Sequence, residues 1–308
     1  MKTIKIVGMI HEFGDIVQTN EEVEVKYGLE PGFILKKTGV KKRHRWSEDQ
    51  FQTPLPLAAF SCMGTLAHDL GMRTNDIVKN VGAIFGSSNI MTLPSQTHQF
   101  ARWGLFKDKM IAHINYGCGG YFAAIELMHT WLMGQKVGTR ALLRRRDQPS
   151  SMVNRYGTEG LFSDALHVSL WSNTDSDPGY VVKKPFSAMA DGDIRALSID
   201  DGAWKMDGSA ITKFVRKVPD MIGDRMGITD LRDFDIVPHQ PNVRLLETLE
   251  RDYGMPFYKE VVREHGNPTC SGTMIALEKF LQESQSTKPI LAMGFGDSLS
   301  YGAMIIRR

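Results

Sequence analysis

The first residue in this chain with obvious chemistry is a thiol. Cys118 stands in the run Gly117-Cys118-Gly119-Gly120, after the alternating apolar segment Met110-Ile111-Ala112-His113-Ile114 and before the mostly apolar segment Tyr121 to Met133. The alternation predicts a short strand, the apolar segment a buried helix, and Gly134 its closing C′ residue. Cys118 therefore falls where a strand becomes a helix, among glycines that let a substrate or another backbone come close. Backbone N–H groups at a helix N-terminus favour the thiolate, the nucleophilic form of cysteine. A lone cysteine is more often a small core residue, so the thiol alone decides nothing. Two further candidates lie in the second half. His239 closes the segment Asp235-Ile236-Val237-Pro238, and Asn267 follows Gly266. Taken singly, a histidine at a strand end is more often structural, and an asparagine beside glycine is more often a turn residue. Cys118, His239 and Cys270 lack a close ligand-pair spacing such as C-x2-C, so no metal site is predicted.

The elements that must position these groups follow in order. Ile4 to Ile10 reads as a first strand, and Asp15 to Tyr27 is polar and negative. Pro31 to Arg45 is a basic run behind Phe33; it reads either as a solvated loop or as a site for phosphates or an acidic partner. Leu55 to Leu70 has helical apolar spacing, and Asp76 to Phe85 reads as a strand running into Gly86. Leu93 to Leu105 is a Pro-led, partly amphipathic helix. Arg140 to Arg144 is a strand candidate ending in Arg144-Arg145-Arg146; Asp147 to Gly160 is loop-like. Ala165 to Trp171 is another strand, and residues 172–182 form an exposed turn. Ile211 to Met226 reads as one amphipathic helix, Val243 to Tyr253 as a helix stopped at Gly254, and residues 273–283 as an apolar helix. Lys288 to Met293 is a strand running into Gly294-Phe295-Gly296. Cys118-Gly119-Gly120 and Cys270-Ser271-Gly272 each open a buried helix, a weak internal repeat half a chain apart. Two like halves with strands between helices point to a layered α/β architecture.

A chain of 308 residues can bury a large core. A hydrophobic share of 42%, a charged share of 23% and a formal charge of +2 describe an ordinary globular protein. That charge is too small to argue for nucleic acid or membrane as a partner. The 3 cysteines are odd in number and far apart, so no disulfide framework is implied. The N-terminal apolar run is too short for a signal peptide and no membrane span is evident, so a cytoplasmic place is expected.

With these residues placed, the sequence resembles the thiolase superfamily and, more narrowly, beta-ketoacyl acyl-carrier-protein synthase III and its acyltransferase relatives. The resemblance runs from about residue 4 to 308. Its sharpest segments are Ile236-Val237-Pro238-His239-Gln240-Pro241-Asn242-Val243-Arg244, Gly266-Asn267-Pro268-Thr269, and Gly294-Phe295-Gly296 with Gly302-Ala303. Phe33-Ile34, Lys37-Thr38-Gly39-Val40 and Arg43-His44 match the amino-terminal signature, and Met206-Asp207-Gly208 the one before the docking helix.

The resemblance implies a thiolase-like, five-layered αβαβα fold of two similar halves, residues 1–165 with the nucleophile and 166–308 with the histidine and asparagine. It makes Cys118 the acyl acceptor and His239 and Asn267 its partners. A thiolate that attacks a thioester gives an acyl-enzyme, splitting the reaction into two easier steps. When a malonyl thioester then loses carbon dioxide, negative charge builds on its thioester oxygen, where an imidazole and a carboxamide can donate. Backbone N–H groups of Cys118 and Asp297 would hold the oxyanion of acyl transfer. Phe33, Lys37, Arg155, Leu93 and Asn242 fall at substrate or coenzyme A positions, and Lys213, Arg216, Lys217 and Arg244 at a docking face for an acidic carrier protein. Acyl-CoA or acyl carrier protein is the implied partner, coenzyme A or phosphopantetheine enters as part of the substrate rather than as a cofactor, and a homodimer is implied with the Leu93 segment crossing its interface.

Several positions depart from the pattern. Phe33 replaces the usual tryptophan and Lys37 the usual arginine, weakening stacking and bidentate phosphate contact. The glycine-rich stretch after the coenzyme loop is Phe162-Ser163-Asp164-Ala165-Leu166, and Asp297 brings a carboxylate where charge would develop. Leu93 replaces a bulky aromatic, which implies room for a longer or bulkier acyl group. Three functions follow: decarboxylative condensation, acyl transfer to an alcohol or amine without a new carbon–carbon bond, or an inactive homologue that binds a carrier.

Overall fold

The computed structural model describes residues 2–47, 56–88, 94–103, 106, 108–114, 119–152, 159–192, 197–200, 203–296 and 299–308. The strands are β1 (Lys5–Phe13), β2 (Ile16–Thr19), β3 (Lys42–Arg45), β4 (Val81–Ser88), β5 (Met110–Ile114), β6 (Arg140–Asp147), β7 (Ala165–Ser172), β8 (Tyr180–Met189), β9 (Leu197–Asp200), β10 (Ala203–Met206), β11 (Asp235–Pro238), β12 (Ile290–Phe295) and β13 (Ser300–Arg307). The helices are α1 (Asn20–Tyr27), α2 (Phe33–Thr38), α3 (Pro56–Asp69), α4 (Thr74–Asn80), α5 (Gln96–Trp103), α6 (Gly120–Gly134), α7 (Gly208–Val215), α8 (Val218–Met226), α9 (Val243–Tyr253), α10 (Glu260–His265) and α11 (Gly272–Glu283).

Among the described residues nine strands form one mixed sheet, ordered β11-β12-β13-β8-β1-β7-β6-β4-β5. It is two half-sheets joined at a narrow seam, where β1 meets β8 only through Lys5–Val181 and Ile6–Tyr180. Outward from the seam the halves repeat. β1 is followed by β7, β6 and β4, and β8 by β13, β12 and β11. In each half the first two neighbours run antiparallel, and the outer pair (β4 with β6, β11 with β12) runs parallel. β7, which begins at Ala165 beside the expected division, pairs with both β1 and β6 and so belongs to the first half-sheet.

Strand alternation sorts the apolar side chains into three cores. Ala141 and Leu143 of β6 face the central core with Tyr121, Phe122, Ile125 and Met128 of α6 and Met274, Ile275 and Leu277 of α11. Leu142, on the opposite face, joins an outer core with Met63 and Leu66 of α3, Ile77 of α4 and Phe100 of α5. The second half has its own outer core under α7, α8 and α9, with Phe214, Ile222 and Leu246. Helix, sheet, paired central helices, sheet and helix make the five layers of the thiolase-like fold. No helix among the described residues is long and apolar enough to cross a membrane.

Several local expectations are corrected. Asp76 to Asn80, read as strand, belongs to α4: Asp76 binds Arg73 through two 2.9–3.0 Å hydrogen bonds in the first turn, and the strand starts only at Val81. The helix predicted over 211–226 is two helices, because Pro219 near the start of α8 cannot donate to a preceding carbonyl. Gly134 is the last residue of α6 rather than its C′ residue, and Gln135 caps. The basic run Pro31 to Arg45 is structured as α2 and β3; Arg43 is fully buried, and Arg45 donates to the carbonyls of Phe162 and Glu159.

Candidate functional site

His239 leaves β11 into the space between the half-sheet and α11. Its backbone N–H donates to Met293 O at 2.6 Å, its ring meets Phe295 edge-on at 5.3 Å, and it is only 3% exposed. Its Nδ1 is buried without a hydrogen-bond partner among the described residues. The following turn is clamped by Gln240, whose amide donates to Pro238 O and Tyr258 O and accepts from Val262 N–H.

Asn267 is fixed as tightly. Its N–H donates to Leu161 O and its carbonyl accepts from Ser163 N–H, both at 2.8 Å, forming a parallel bridge beside Phe162. Its side-chain Oδ1 accepts Thr269 N–H at 2.8 Å, which leaves Nδ2 as the donor of the carboxamide. Gly266 precedes it at φ +77, where a Cβ would lie 2.9 Å from Leu161 O, so only glycine lets the chain enter this turn.

Glycines record how closely the pieces approach. At Gly272, the first residue of α11, a Cβ would meet Gln240 Cβ and Pro268 Cγ, each at 3.3 Å. The neighbours of His239 and of Asn267 therefore converge on one point. Gly119 packs against the Ser300 side chain, and Phe122 covers both Gly294 and Gly302, so the start of α6 is seated on β12 and β13. Cys118 lies outside the described residues, one peptide bond before Gly119, the N-cap of α6. Leu93, Arg155 and Asp297 also lie outside them. The two-cysteine register is matched: α6 begins at Gly120 and α11 at Gly272, each two residues after its cysteine.

The residues expected at a coenzyme and carrier surface share a face in part. Phe33 and Lys37 lie on α2, and Gly39 at its end packs against Val243 of α9. Arg244 donates to Lys36 O at 3.2 Å and to Glu247 at 2.9 Å, placing it beside α2. Asn242 caps α9, its Oδ1 accepting Leu245 N–H. Lys213, Arg216 and Lys217 are exposed on and after α7, and Arg216 is held by two hydrogen bonds from its guanidinium to Asp252.

Two residues behind the site were not singled out from sequence. Arg145 and Asp147 are fully buried at the end of β6 and bind each other. Arg145 also donates to Ser87 Oγ at 2.7 Å and reaches Cys270 Sγ, while Asp147 accepts from Ser271 N–H and Oγ at 2.7 and 2.6 Å. The pair pins the turn that follows Asn267 to the other half of the molecule. The signal was the unbroken Arg-Arg-Arg-Asp at a strand end, where alternation sends every second charge inward. Nearby, Tyr121 Oη lies 2.5 Å from His167 Nδ1, and burial pushes the His167 imidazole down to about 3, so it is neutral.

Comparison with known proteins agrees with this architecture. The family description "3-Oxoacyl-[acyl-carrier-protein (ACP)] synthase III C terminal" matches residues 229–308. The curated Beta-ketoacyl-[acyl-carrier-protein] synthase III of Acholeplasma laidlawii is 24% identical over 98% of this chain and 98% of its own. The crystal structure of 3-oxoacyl-[acyl-carrier-protein] synthase III from Aquifex aeolicus superposes with a TM-score of 0.84 at 19% identity, covering 99% of this chain and 100% of that one. OleA of Xanthomonas campestris, solved with lauric acid and lauroyl-CoA, has the same TM-score of 0.84 at 13% identity over 99% of each chain.

Proposed function

We propose that the chain is a member of the 3-oxoacyl-[acyl-carrier-protein] synthase III family, to which it is similar over its C-terminal residues and, at 24% identity, over 98% of its length, and that it condenses an acyl thioester with a malonyl thioester through Cys118. The observation that carries the proposal is the pair His239 and Asn267. Both are buried and held by backbone hydrogen bonds, their chain neighbours meet over Gly272, Nδ1 of His239 is without a partner among the described residues, and Oδ1 of Asn267 is taken by Thr269 N–H so that Nδ2 is its donor.

In the first step the Cys118 thiolate attacks the acyl carbonyl; the carbon–sulfur bond to coenzyme A or to the carrier breaks, and that thiolate leaves and takes up a proton. In the second, a malonyl thioester loses carbon dioxide, and the electron pair becomes an enolate whose oxygen accepts from the imidazole of His239 and Nδ2 of Asn267. The enolate carbon attacks the acyl group, a carbon–carbon bond forms, and the Cys118 thiolate is released. Neutral donors suit the developing charge, which a carboxylate would repel. No cofactor is needed beyond the pantetheine arm that arrives with each substrate. The carrier docks against Lys213, Lys217 and Arg244, and a homodimer with the Leu93 segment at its interface belongs to the same reading.

The test is carbon dioxide release from malonyl carrier protein in the presence of an acyl-CoA. Replacing His239 or Asn267 by alanine should lower it by about 10²- to 10³-fold, as removing one preorganised donor does, and far more than it lowers acylation of Cys118. Run with Arg244→Glu, the same assay should slow malonyl carrier protein more than malonyl-CoA, and equal slowing removes the docking assignment. Loss of the acyl label to an added alcohol without carbon dioxide would mark the protein as a transferase instead.

A further inference from the structure

The mechanism above leaves unused a group of rings beside Asn267. His44 of β3, in the first half, and His265, the last residue of α10 in the second, bring Nε2 and Nδ1 to 3.2 Å. Phe13, at the end of β1, stacks on both: its ring centroid is 4.9 Å from that of His44 at 28° and 4.4 Å from that of His265 at 13°. Lys42 and Arg45 of β3, Lys279 of α11 and His11 of β1 face the pair, and His11 meets Glu278 of α11 at 3.0 Å. Burial, reinforced by Lys42 and Arg45, pushes the His44 imidazole below its ordinary range. Burial, then His44, Lys279, Lys42 and His11, push that of His265 down to about 4, so both rings are neutral at pH 7.

A neutral imidazole has one donor and one acceptor, so its partners dictate where the proton sits. His44 Nδ1 lies 3.0 Å from the Gly14 carbonyl, which can only accept. The His44 proton is therefore on Nδ1, its Nε2 accepts, and Nδ1–H of His265 is the donor between the rings. This bond closes a loop around the Asn267 turn. His44 N–H donates to Ser163 Oγ at 2.8 Å, and its carbonyl accepts from Asp164 N–H at 2.9 Å. The same segment holds Asn267, through Leu161 O and Ser163 N–H. Two further bonds, Lys41 N–H to Arg263 O at 2.8 Å and Lys41 Nζ to Glu264 at 2.7 Å, lay the last turn of α10 along β3. The ring contact ties its final residue, immediately before the bend at Gly266. Because Thr269 N–H fixes Oδ1 of Asn267, a rotation of the chain at that bend turns Nδ2 with it. A donor in a reacting site must be held to roughly 0.5 Å and 10–20°.

We propose that His44 and His265 are positioning residues for Asn267: the hydrogen bond between their rings holds the exit of α10 against β3 and so sets the direction in which the Asn267 carboxamide donates. The assignment rests on the condensing reading above and adds to it a pair that acts only through Asn267.

Two variants separate the hydrogen bond from the stack. His265→Phe keeps a ring against Phe13 and loses the donor; His265→Asn keeps a donor near the place of Nδ1 and loses the ring. With malonyl carrier protein and an acyl-CoA, His265→Phe should lower kcat for carbon dioxide release roughly 10- to 100-fold. KM and the rate of Cys118 acylation should stay near the wild type, and His265→Asn should recover most of the lost rate. The reverse ranking, or equal slowing of acylation and carbon dioxide release, overturns the assignment while the condensing reading stands. Ring tautomers test the bond without any reaction. At pH 7, long-range proton–nitrogen spectra should place the proton on Nδ1 of both rings, the signals being assigned by their loss in His44→Asn and His265→Phe; a proton on Nε2 of either overturns the assignment. Should the wild type release no carbon dioxide, the condensing reading is the one that fails, and the side-chain amide signal of Asn267, assigned by its loss in Asn267→Ala, decides the pair. Displacement in His265→Phe but not in His265→Asn upholds it; the same response to both variants overturns it.

Discussion

β6 and β12 hold equivalent places in the two half-sheets, each between a parallel neighbour toward the edge and an antiparallel one toward the seam. β6 ends in Arg144-Arg145-Arg146-Asp147, all of them buried, and β12 ends in Met293-Gly294-Phe295. The first end is held by charge: Arg145 and Asp147 bind each other and grip Cys270 and Ser271 of the second half. The second is held by shape: Gly294 and Gly302, paired across β12 and β13, make a flat bed for Phe122 of the first half. Each half thus reaches into the other at the same strand position, once with ions and once with a ring. The lesson is that a repeated backbone does not oblige a repeated chemistry. The two clasps are dissimilar, one beside Asn267 and one at the helix that follows Cys118 in the chain.

Breaking the charged clasp should have the largest effect. Asp147→Ala strands the Arg145 guanidinium in the core and should cost about 3–5 kcal/mol of stability in urea unfolding, with loss of carbon dioxide release as the turn after Asn267 loosens. The double change Arg145→Met with Asp147→Leu should recover most of the stability, and if it does not, the clasp is not electrostatic. The shaped clasp should give a smaller loss. Gly294→Val puts a side chain where a Cβ would already lie 2.5 Å from the Phe122 ring, an overpacking that should cost about 1–3 kcal/mol. Phe122→Leu should relieve it, and additive losses in the double variant would show that the two positions do not meet.

The smallest difference should be seen in acid. His167 is the register partner of Arg145, whereas Gly294 faces only Gly302, which has nothing to titrate. His167 is held neutral, its imidazole pushed from the ordinary 6.5 to about 3. The unfolded chain binds that proton below about pH 6.5 and the folded one does not, so stability falls as pH drops from there toward 3 and then levels. His167→Gln should remove up to about 1.4 kcal/mol per pH unit of that decline. An unchanged slope would mean that the imidazole is protonated in the fold.

The elements that carry the candidate residues were legible because they have strong local signals. The apolar run of α6 has a strand before it and a glycine pair at its head, β11 ends at His239, and α9 stops at Gly254. The two cysteines stand in the same register before α6 and α11, so the pseudo-repeat could be read before any strand was paired. β8 was missed because Tyr180-Val181-Val182-Lys183-Lys184-Pro185 mixes charge and proline with its apolar residues, and its stability comes from β13 and β1 rather than from its own pattern. α4 was misread because Ile77 and Val78 favour strands in isolation, while packing under α3 decides otherwise. The charges of β6 were the least legible. A basic run normally faces water, and only the arrival of α5 on one face and α11 on the other buries Arg144 and Arg145.

The most direct measurement is the mass of the peptide containing Cys118 after incubation with an acyl-CoA. The account predicts a covalent acyl increment on that peptide, discharged when malonyl carrier protein is added and absent in Cys118→Ala. A protein that stays unmodified, or a Cys118→Ala variant that releases carbon dioxide at the wild-type rate, would contradict it.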